Sequence, residues 1–485
     1  MSSIKEEFVR GVFWSAIEKY SGQVIGLVVT MILARLLSPT DYGIVAIVTV
    51  IVSFLQIFCT LGIGPAIIQK DFSDSAINSI YTFSILIGLF LSILFFSSSW
   101  LIASFYNNNL LLSVCQLLCI QLFFASVNMV PSALMAKHKR FKEIAKRTLI
   151  LQCLSGVLSV IAAWKGVGMY SLLISPIISS VGIFFWNRRY YPLRIDWTFN
   201  IAPVNQIASF SFYQFLFEFI NFFTRNLDKL IIGKALGMNS LGIYEKSYRL
   251  MQLPMQNVTA VINPVLQPTL RDLETDKAEL SKKYIKIVQF IAIISFPAGI
   301  ALAGMSKDVI HLFFGEQWDS AIPVFSILAL SLPLQMILST SGAIYLVCNN
   351  TRMLFLLGVR NTFTTIIGFC IAAFVYQSLE AMAWAWTITL VINFFFTYWL
   401  MYRYVLYQSF IPFLKVFIHP FICAIILSIV VTFLNELNKL PIYLLFIAFI
   451  KGIIIIVFVL TYIQLSRQYN LIQIIREKIN KKKSH

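Results

Sequence analysis

The sequence predicts an all-α polytopic membrane protein: about fourteen transmembrane helices in two parallel six-helix lobes, followed by two C-terminal helices. Three observations predict it. The 485 residues are 59% hydrophobic and only 12% charged, with a mean hydropathy of +0.81, whereas a soluble domain carries about 25% charged residues. Apolar runs long enough to cross about 30 Å of hydrocarbon recur along the whole chain, and such runs satisfy their backbone in lipid only as helices; they are not the short alternating segments of a β-barrel. Lastly, Lys and Arg gather on alternate connections between these runs.

Taken in order, spans are expected at 12–34, 43–66, 79–104, 110–134, 148–166 and 169–187 in an N-terminal lobe of residues 1–200. A C-terminal lobe of residues 201–405 holds spans at 207–233, 242–268, 286–305, 321–347, 354–376 and 381–402. Two extra helices, 411–434 and 441–465, fill residues 406–466, and a basic tail occupies 467–485. With these spans, and with Lys286 and Lys415 at span ends counted with the adjoining connection, 26 of the 38 Lys and Arg fall on the side of both termini, 5 on the other side (Arg35, Lys165, Lys234, Lys307, Lys439) and 7 deeper within spans. By the positive-inside rule both termini are expected in the cytoplasm. The same distribution assigns the net charge of +17 to topology, and no nucleic-acid partner is expected. Met1 to Arg10 is short and charged with no small-residue cleavage site after an apolar stretch, so no removed signal peptide is expected.

The chain repeats itself at an offset of 199 residues. Ala34-Arg35-Leu36-Leu37-Ser38-Pro39-Thr40-Asp41-Tyr42-Gly43-Ile44 lies over Gly233 to Ile243, and Pro65 over Pro264. Each copy ends a span with a basic residue, turns, and restarts at Gly-Ile. Six spans separate the copies, an even number, so the repeats run parallel, which is a known transporter plan with a cavity between lobes.

Polar residues fall into stripes. At 100° per residue, span 1 places Ser15, Glu18, Lys19, Gly22, Gln23, Gly26 and Thr30 within an arc of roughly 140°; Gly22 and Gly26 form a small-xxx-small pattern for close helix approach. Span 7 places Ser211, Gln214, Glu218, Asn221, Arg225, Asp228 and Lys229 within roughly 100°, and span 8 does the same with Glu245, Tyr248, Arg249, Gln252, Gln256, Thr259 and Asn263. Ionisable groups at bilayer depth cost at least about 2.5–3.5 kcal/mol, so they face a protein interior or a wet cavity. Lys19, Arg225, Arg249 and Arg360 are therefore candidate substrate-binding cations. Glu18, Glu218, Asp228 and Glu245 are candidates for coupling or ion pairing, since a buried carboxyl can titrate and couple a proton or sodium ion. Gln23, Gln214, Asn221, Gln252 and Gln256 are candidate cavity polar groups. Plainer readings stay open: Arg225 and Asp228 at i,i+3 can simply pair, and Glu18 with Lys19 can anchor span 1 at the membrane surface.

Pro131, Pro176, Pro254, Pro264, Pro268, Pro297, Pro323 and Pro333 interrupt helices as kinks or as hinges. The seven cysteines are scattered; Cys115-x3-Cys119 reads as packing one turn apart. There is no G-x4-G-K-[ST], H-E-x-x-H or nucleophile elbow, and the histidines are isolated, so no catalytic residue, metal or cofactor is expected.

Gly11-Val-Phe-Trp-Ser15, Ile32-Leu-Ala-Arg35-Leu-Leu-Ser-Pro39-x-Asp41-Tyr-Gly43 and Gly62-Ile-Gly64-Pro-Ala-Ile-Ile-Gln69 resemble the polysaccharide-biosynthesis, O-antigen and teichuronic-acid-type flippase family. So do Arg225-Asn-Leu-Asp228-Lys-Leu-Ile-Ile-Gly233-Lys-x-Leu-Gly237, Leu241-Gly242-Ile-Tyr244 and Phe314-Gly315-Glu316-x-Trp318. The resemblance runs from Gly11 to about Trp399. It implies the two-lobed fold of the superfamily that also holds multidrug extruders and the peptidoglycan-precursor flippase, in the bacterial inner membrane. The implied substrate is an undecaprenyl-diphosphate-linked oligosaccharide, moved to the outer leaflet without ATP. Implied partners are membrane lipids, H+ or Na+, and the polymerase and glycosyltransferases of the same glycan. Two rivals are weighed. A cation antiporter of the same fold favours an acidic cavity, whereas basic groups here at least match acidic ones. A membrane glycosyl polymerase or ligase needs catalytic groups on a large outer loop, which this chain lacks.

Overall fold

A computed structural model describes residues 2–60, 63–195, 215, 218–219, 222–223, 225–436 and 444–465, and every regular element among them is helical. The chain divides into two compact units, Met1–Gly242 and Ile243–His485. In chain order the helices are α1 (Ser2–Leu36), α2 (Pro39–Thr60), α3 (Ile63–Gln69), α4 (Asp74–Phe105), α5 (Leu110–Val127), α6 (Met129–Lys137), α7 (Phe141–Trp164) and α8 (Ser171–Tyr190). Residues 225–235 are also helical. Then come α9 (Gly237–Leu270), α10 (Lys277–Gly304), α11 (Ser306–Phe313), α12 (Ala321–Leu330), α13 (Leu332–Leu338), α14 (Ser341–Val347), α15 (Thr351–Ile371), α16 (Leu379–Leu400), α17 (Ile411–Lys415), α18 (Ile418–Asn435) and α19 (Leu444–Leu465).

Eleven helices among the described residues are long and apolar enough to cross a membrane, or twelve when α12 and the segment Leu332–Val347, bent by 43°, count as one span. The protein is thus a multi-pass membrane protein, though the fourteen expected spans are not all found as such helices. The expected span at 242–268 falls on α9, which carries Glu245, Lys246, Arg249 and three prolines and is not among the eleven. The span at 207–233 lies largely outside the described residues. Elsewhere the helices differ from the expected spans at their ends. The run expected at 110–134 breaks at Asn128 into α5 and α6, and α7 begins at Phe141, so Lys142, Lys146 and Arg147 are helical residues.

Local chemistry sets the starts. Ser38 and Asp41 cap α2 reciprocally: Ser38 Oγ donates to Asp41 Oδ2 at 2.7 Å, and the Asp41 N–H donates back to Ser38 Oγ at 3.3 Å. Ser73, Asp276 and Asn350 cap α4, α10 and α15 through bonds from Ala76, Glu279 and Met353 N–H. Packing along the helices then uses small residues, because lipid supplies no hydrophobic drive between them. Gly22 of α1 lies against Gln152 of α7, where a Cβ would come within 2.8 Å, and Gly156 of α7 lies against Val29, at 2.6 Å. Gly26, expected to share this seam with Gly22, has nothing within 4 Å.

The repeat appears as a contact within the first unit. A Cβ on Gly43 would lie 1.8 Å from Met238 O, and one on Gly242 would lie 1.8 Å from Pro39 O. Pro39 and Met238 are equivalent under the offset of 199, as are Gly43 and Gly242, so each turn meets the other reciprocally, as isologous surfaces do. Thr40 and Asn239, also equivalent, approach at 3.5 Å. Only glycine allows two backbones this close. Around Phe54 and Phe58 of α2 the rings of Phe215, Phe219, Phe222 and Phe223 pack at centroid distances of 5.2 to 6.5 Å.

Candidate functional site

Among the described residues, three groups of charged and amide side chains within the helices stand out. In the first unit, α1, α6, α7 and α8 bring together Glu18, Ser132, Arg147, Thr148 and Asn187. Arg147 is 7% exposed. Its Nη1 donates to Asn187 Oδ1 at 2.5 Å, and Asn187 Nδ2 donates to Ser132 Oγ at 3.0 Å. Thr148 Oγ1 donates to Glu18 Oε1 at 2.8 Å, which places a carboxylate close enough to act on Arg147 electrostatically. The residue before α7 and two positions in its first two turns thus face the end of α8: Arg140 lies over the rings of Tyr190 and Tyr191 at 5.1 and 5.6 Å, Glu143 accepts from Tyr190 Oη at 2.9 Å, and Arg147 binds Asn187.

In the second unit, α11 and α19 are tied by a buried ion pair. Lys451 Nζ lies 2.6 Å from Asp308 Oδ2, with side chains 0% and 1% exposed. Lys451 also donates to Asn435 Oδ1 at 3.0 Å, and Asn435 Nδ2 donates to Gly304 O at 3.0 Å. Taking two charges into a low-dielectric interior is tolerated only with a close partner and further hydrogen bonds, and this group has both.

The third group lies on α15 and α16. Arg360 is near the middle of α15 and half-buried; its Nη1 donates to Asn361 Oδ1 and to Asn393 Oδ1, both at 3.1 Å. Asn393, buried on α16, donates in turn to Asn361 O and Thr365 Oγ1, each at 3.3 Å, and Asn361 Nδ2 donates to Thr397 Oγ1 at 3.3 Å. The guanidinium carbon sits 3.9 Å from the centroid of Phe396, a cation–π contact. Among the described residues no carboxylate pairs with Arg360.

Of the sequence candidates, the structure brings together Glu18 with Thr148, Gln252 with Gln256 (Nε2 to Oε1, 3.1 Å), and Arg360 with its amides. Lys19 is exposed, 6.0 Å from the ring of Tyr20, and Gln23 is half-buried. Glu218, Arg225 and Arg249 are exposed, while Asp228 is buried and accepts from the Lys229 N–H at 2.8 Å. Glu245 is half-buried, beside the buried Lys246. Gln214 and Asn221 lie outside the described residues. On α9 the expected stripe coincides with the less buried face: Arg249, Gln256 and Asn263 are exposed, whereas Ser247, Leu250 and Met251 are buried. Arg147, Lys451, Asp308, Asn361 and Asn393 were not singled out by sequence reasoning. For Lys451 a signal existed, a single cation in an apolar run of twenty residues, Phe446–Leu465. Among the described residues no three His, Cys, Asp or Glu gather as a metal site.

Comparison with known proteins gives these features a setting. The model of a family described as "Polysaccharide biosynthesis protein" matches residues 32–323. The chain is 25% identical over 437 residues to the teichuronic acid biosynthesis protein TuaB of Bacillus subtilis (strain 168), covering 89% of each chain. It is 26% identical over 435 residues to the succinoglycan biosynthesis transport protein ExoT of Rhizobium meliloti (strain 1021), covering 88% of this chain and 86% of that one. It is 26% identical to the lipopolysaccharide biosynthesis protein WzxC of Escherichia coli (strain K12), over 67% of each chain. In fold it is similar to the lipid II flippase MurJ in an inward closed conformation, with a TM-score of 0.69 at 16% identity over 94% of this chain and 98% of that one. It is also similar to an inward-facing multidrug resistance transporter of the MATE family, with a TM-score of 0.58 at 13% identity over 80% and 97%.

Proposed function

The chain belongs to the polysaccharide biosynthesis protein family, and from that premise we propose that it is a flippase. It moves lipid-linked oligosaccharide repeat units, of the undecaprenyl diphosphate type, across the bacterial inner membrane by alternating access. Its termini lie in the cytoplasm, and it catalyses no covalent step. The observation that carries this reading is similarity along most of the chain to relatives named for different polymers, together with the fold of a protein named for flipping lipid II. What such proteins share is then the crossing, with the sugar left variable.

Physical chemistry supports the same substrate class. An anionic headgroup does not cross hydrocarbon bare, because desolvating a charge is far too costly. It needs cations inside the spans, and these are expensive unless they serve something. Lys19, Arg225, Arg249 and Arg360 are the candidates for holding the anion through charge-assisted bonds. The lipid tail stays in the bilayer throughout.

Deletion of the gene tests the reading. Lipid-linked repeat units are expected to accumulate on the inner leaflet while surface glycan falls. Unchanged glycan and unchanged intermediates, with altered sensitivity to drugs or small solutes, would replace the flippase by an antiporter of the same fold.

A further inference from the structure

We infer that Arg360, held by Asn361 and Asn393, is a receptor for a two-oxygen anion, and that the two amides are its positioning residues. This rests on the flippase reading and narrows it to one site. A guanidinium has five N–H donors. The two on Nη1 are taken by the side-chain oxygens of Asn361 and Asn393. Those amides are themselves fixed: Asn393 by Asn361 O and Thr365, and Asn361 by Thr397, so the plane of the guanidinium is set from below. Phe396 covers one face of that plane at 3.9 Å. The edge that remains carries Nε–H and the Nη2 hydrogens, which is the fork that grips a carboxylate or phosphate through two parallel bonds.

The choice of amides is the informative part. A carboxylate at 361 or 393 would neutralise the cation and occupy it. Asparagine supplies oxygens of the same shape and leaves the full positive charge for a ligand. Within the same unit, Lys451 shows the alternative, a cation closed by Asp308 at 2.6 Å. The ligand chemistry is a bidentate oxyanion, which a lipid-linked saccharide offers in two places: the diphosphate of its carrier and the carboxylate of any acidic sugar.

Asn393→Asp in the full-length protein tests this, because it keeps shape while placing a carboxylate 3.1 Å from the guanidinium. Binding is measured on purified protein with two probes, farnesyl diphosphate and a glucuronic acid oligomer. The expected result is normal membrane abundance, a melting temperature lowered only slightly because the new ion pair offsets the Nδ2 bonds to Asn361 O and Thr365 Oγ1 that a carboxylate cannot make, and affinity for one probe lowered about tenfold to a hundredfold, with export reduced in parallel. The probe affected identifies which oxyanion Arg360 meets. Arg360→Lys keeps the charge but loses the fork, and is expected to fall between wild type and Asn393→Asp. Equal affinity for both probes and full export in Asn393→Asp would overturn the receptor and make the cluster a structural brace. If the wild-type protein binds neither probe, and deleting the gene leaves lipid-linked intermediates unchanged, the flippase reading itself has failed.

Discussion

Lys451 and Arg360 stand in the same unit, each a cation well inside an apolar helix, and they are held in opposite ways. Lys451 is sealed from solvent and closed by a carboxylate, with Asn435 taking a further donor. Arg360 is half-buried and, among the described residues, held by neutral amide oxygens under a phenyl ring. Both arrangements satisfy hydrogen bonds, but only the first cancels the charge. A cation neutralised inside the protein is a fastening, since nothing is left for a ligand to bind. A cation satisfied without being neutralised keeps its electrostatic reach, and its cost in the membrane is offset only when an anion or water meets it.

The sharpest way to break that contrast is to open the closed pair. Lys451→Met leaves Asp308 buried without its partner, and removing one member of a buried pair costs about 3–5 kcal/mol. We expect a large drop in the melting temperature of the detergent-solubilised protein and in its membrane abundance. Adding Asp308→Leu should recover most of the loss, because an apolar pair replaces an ionic one at little cost. A single variant as stable as wild type would show that the pair is no fastening, and the distinction between the two cations would lapse.

Arg147 sharpens the comparison from between the extremes. It is buried like Lys451 but bonded to an amide like Arg360, with Glu18 nearby as a diffuse counter-charge. If burial decides, Arg147→Met should destabilise by about 1–3 kcal/mol, the penalty for leaving the Asn187 oxygen without its donor. Transport per folded molecule should then be unchanged. Loss of transport without loss of stability would move Arg147 into the class of Arg360.

Much of this was legible in the sequence, and the remainder was hidden for physical reasons. The apolar runs gave the helices, and the offset of 199 pointed to the turns at Gly43 and Gly242, which do meet. Arg360 stood out because a charge amid apolar residues is conspicuous wherever the chain folds. Its partner Asn393 did not, since it lies 33 residues away on another helix and an isolated Asn in a span is unremarkable. Asp308 and Lys451 are 143 residues apart, so no local pattern could pair them. Arg147 falls just outside its expected span, because apolar content alone begins that span at 148. The helix itself begins at Phe141, and its first two turns bury one face against α8 while other positions stay polar.

The smallest expected effect lies at the solvent end of the scale. Lys137 Nζ sits 2.9 Å from Asp71 Oδ1, with Asp71 fully exposed, so water screens the pair and it adds little to stability. The hydrogen bond and positive charge of Lys137 hold the Asp71 carboxyl below its ordinary value. A depressed carboxyl contributes stability above its unfolded value, about 3.9 for Asp, and loses it as pH falls through the lower folded value. The difference in melting temperature between wild type and Lys137→Gln should therefore be slight at neutral pH and shrink further below about pH 4. Lys137 also donates to Lys70 O at 2.7 Å, a bond that does not titrate in this range, so the residue left at low pH measures that contact alone. A difference as large as that for Lys451→Met would mean that burial does not rank these cations, and the contrast between closed and open charges would need another cause.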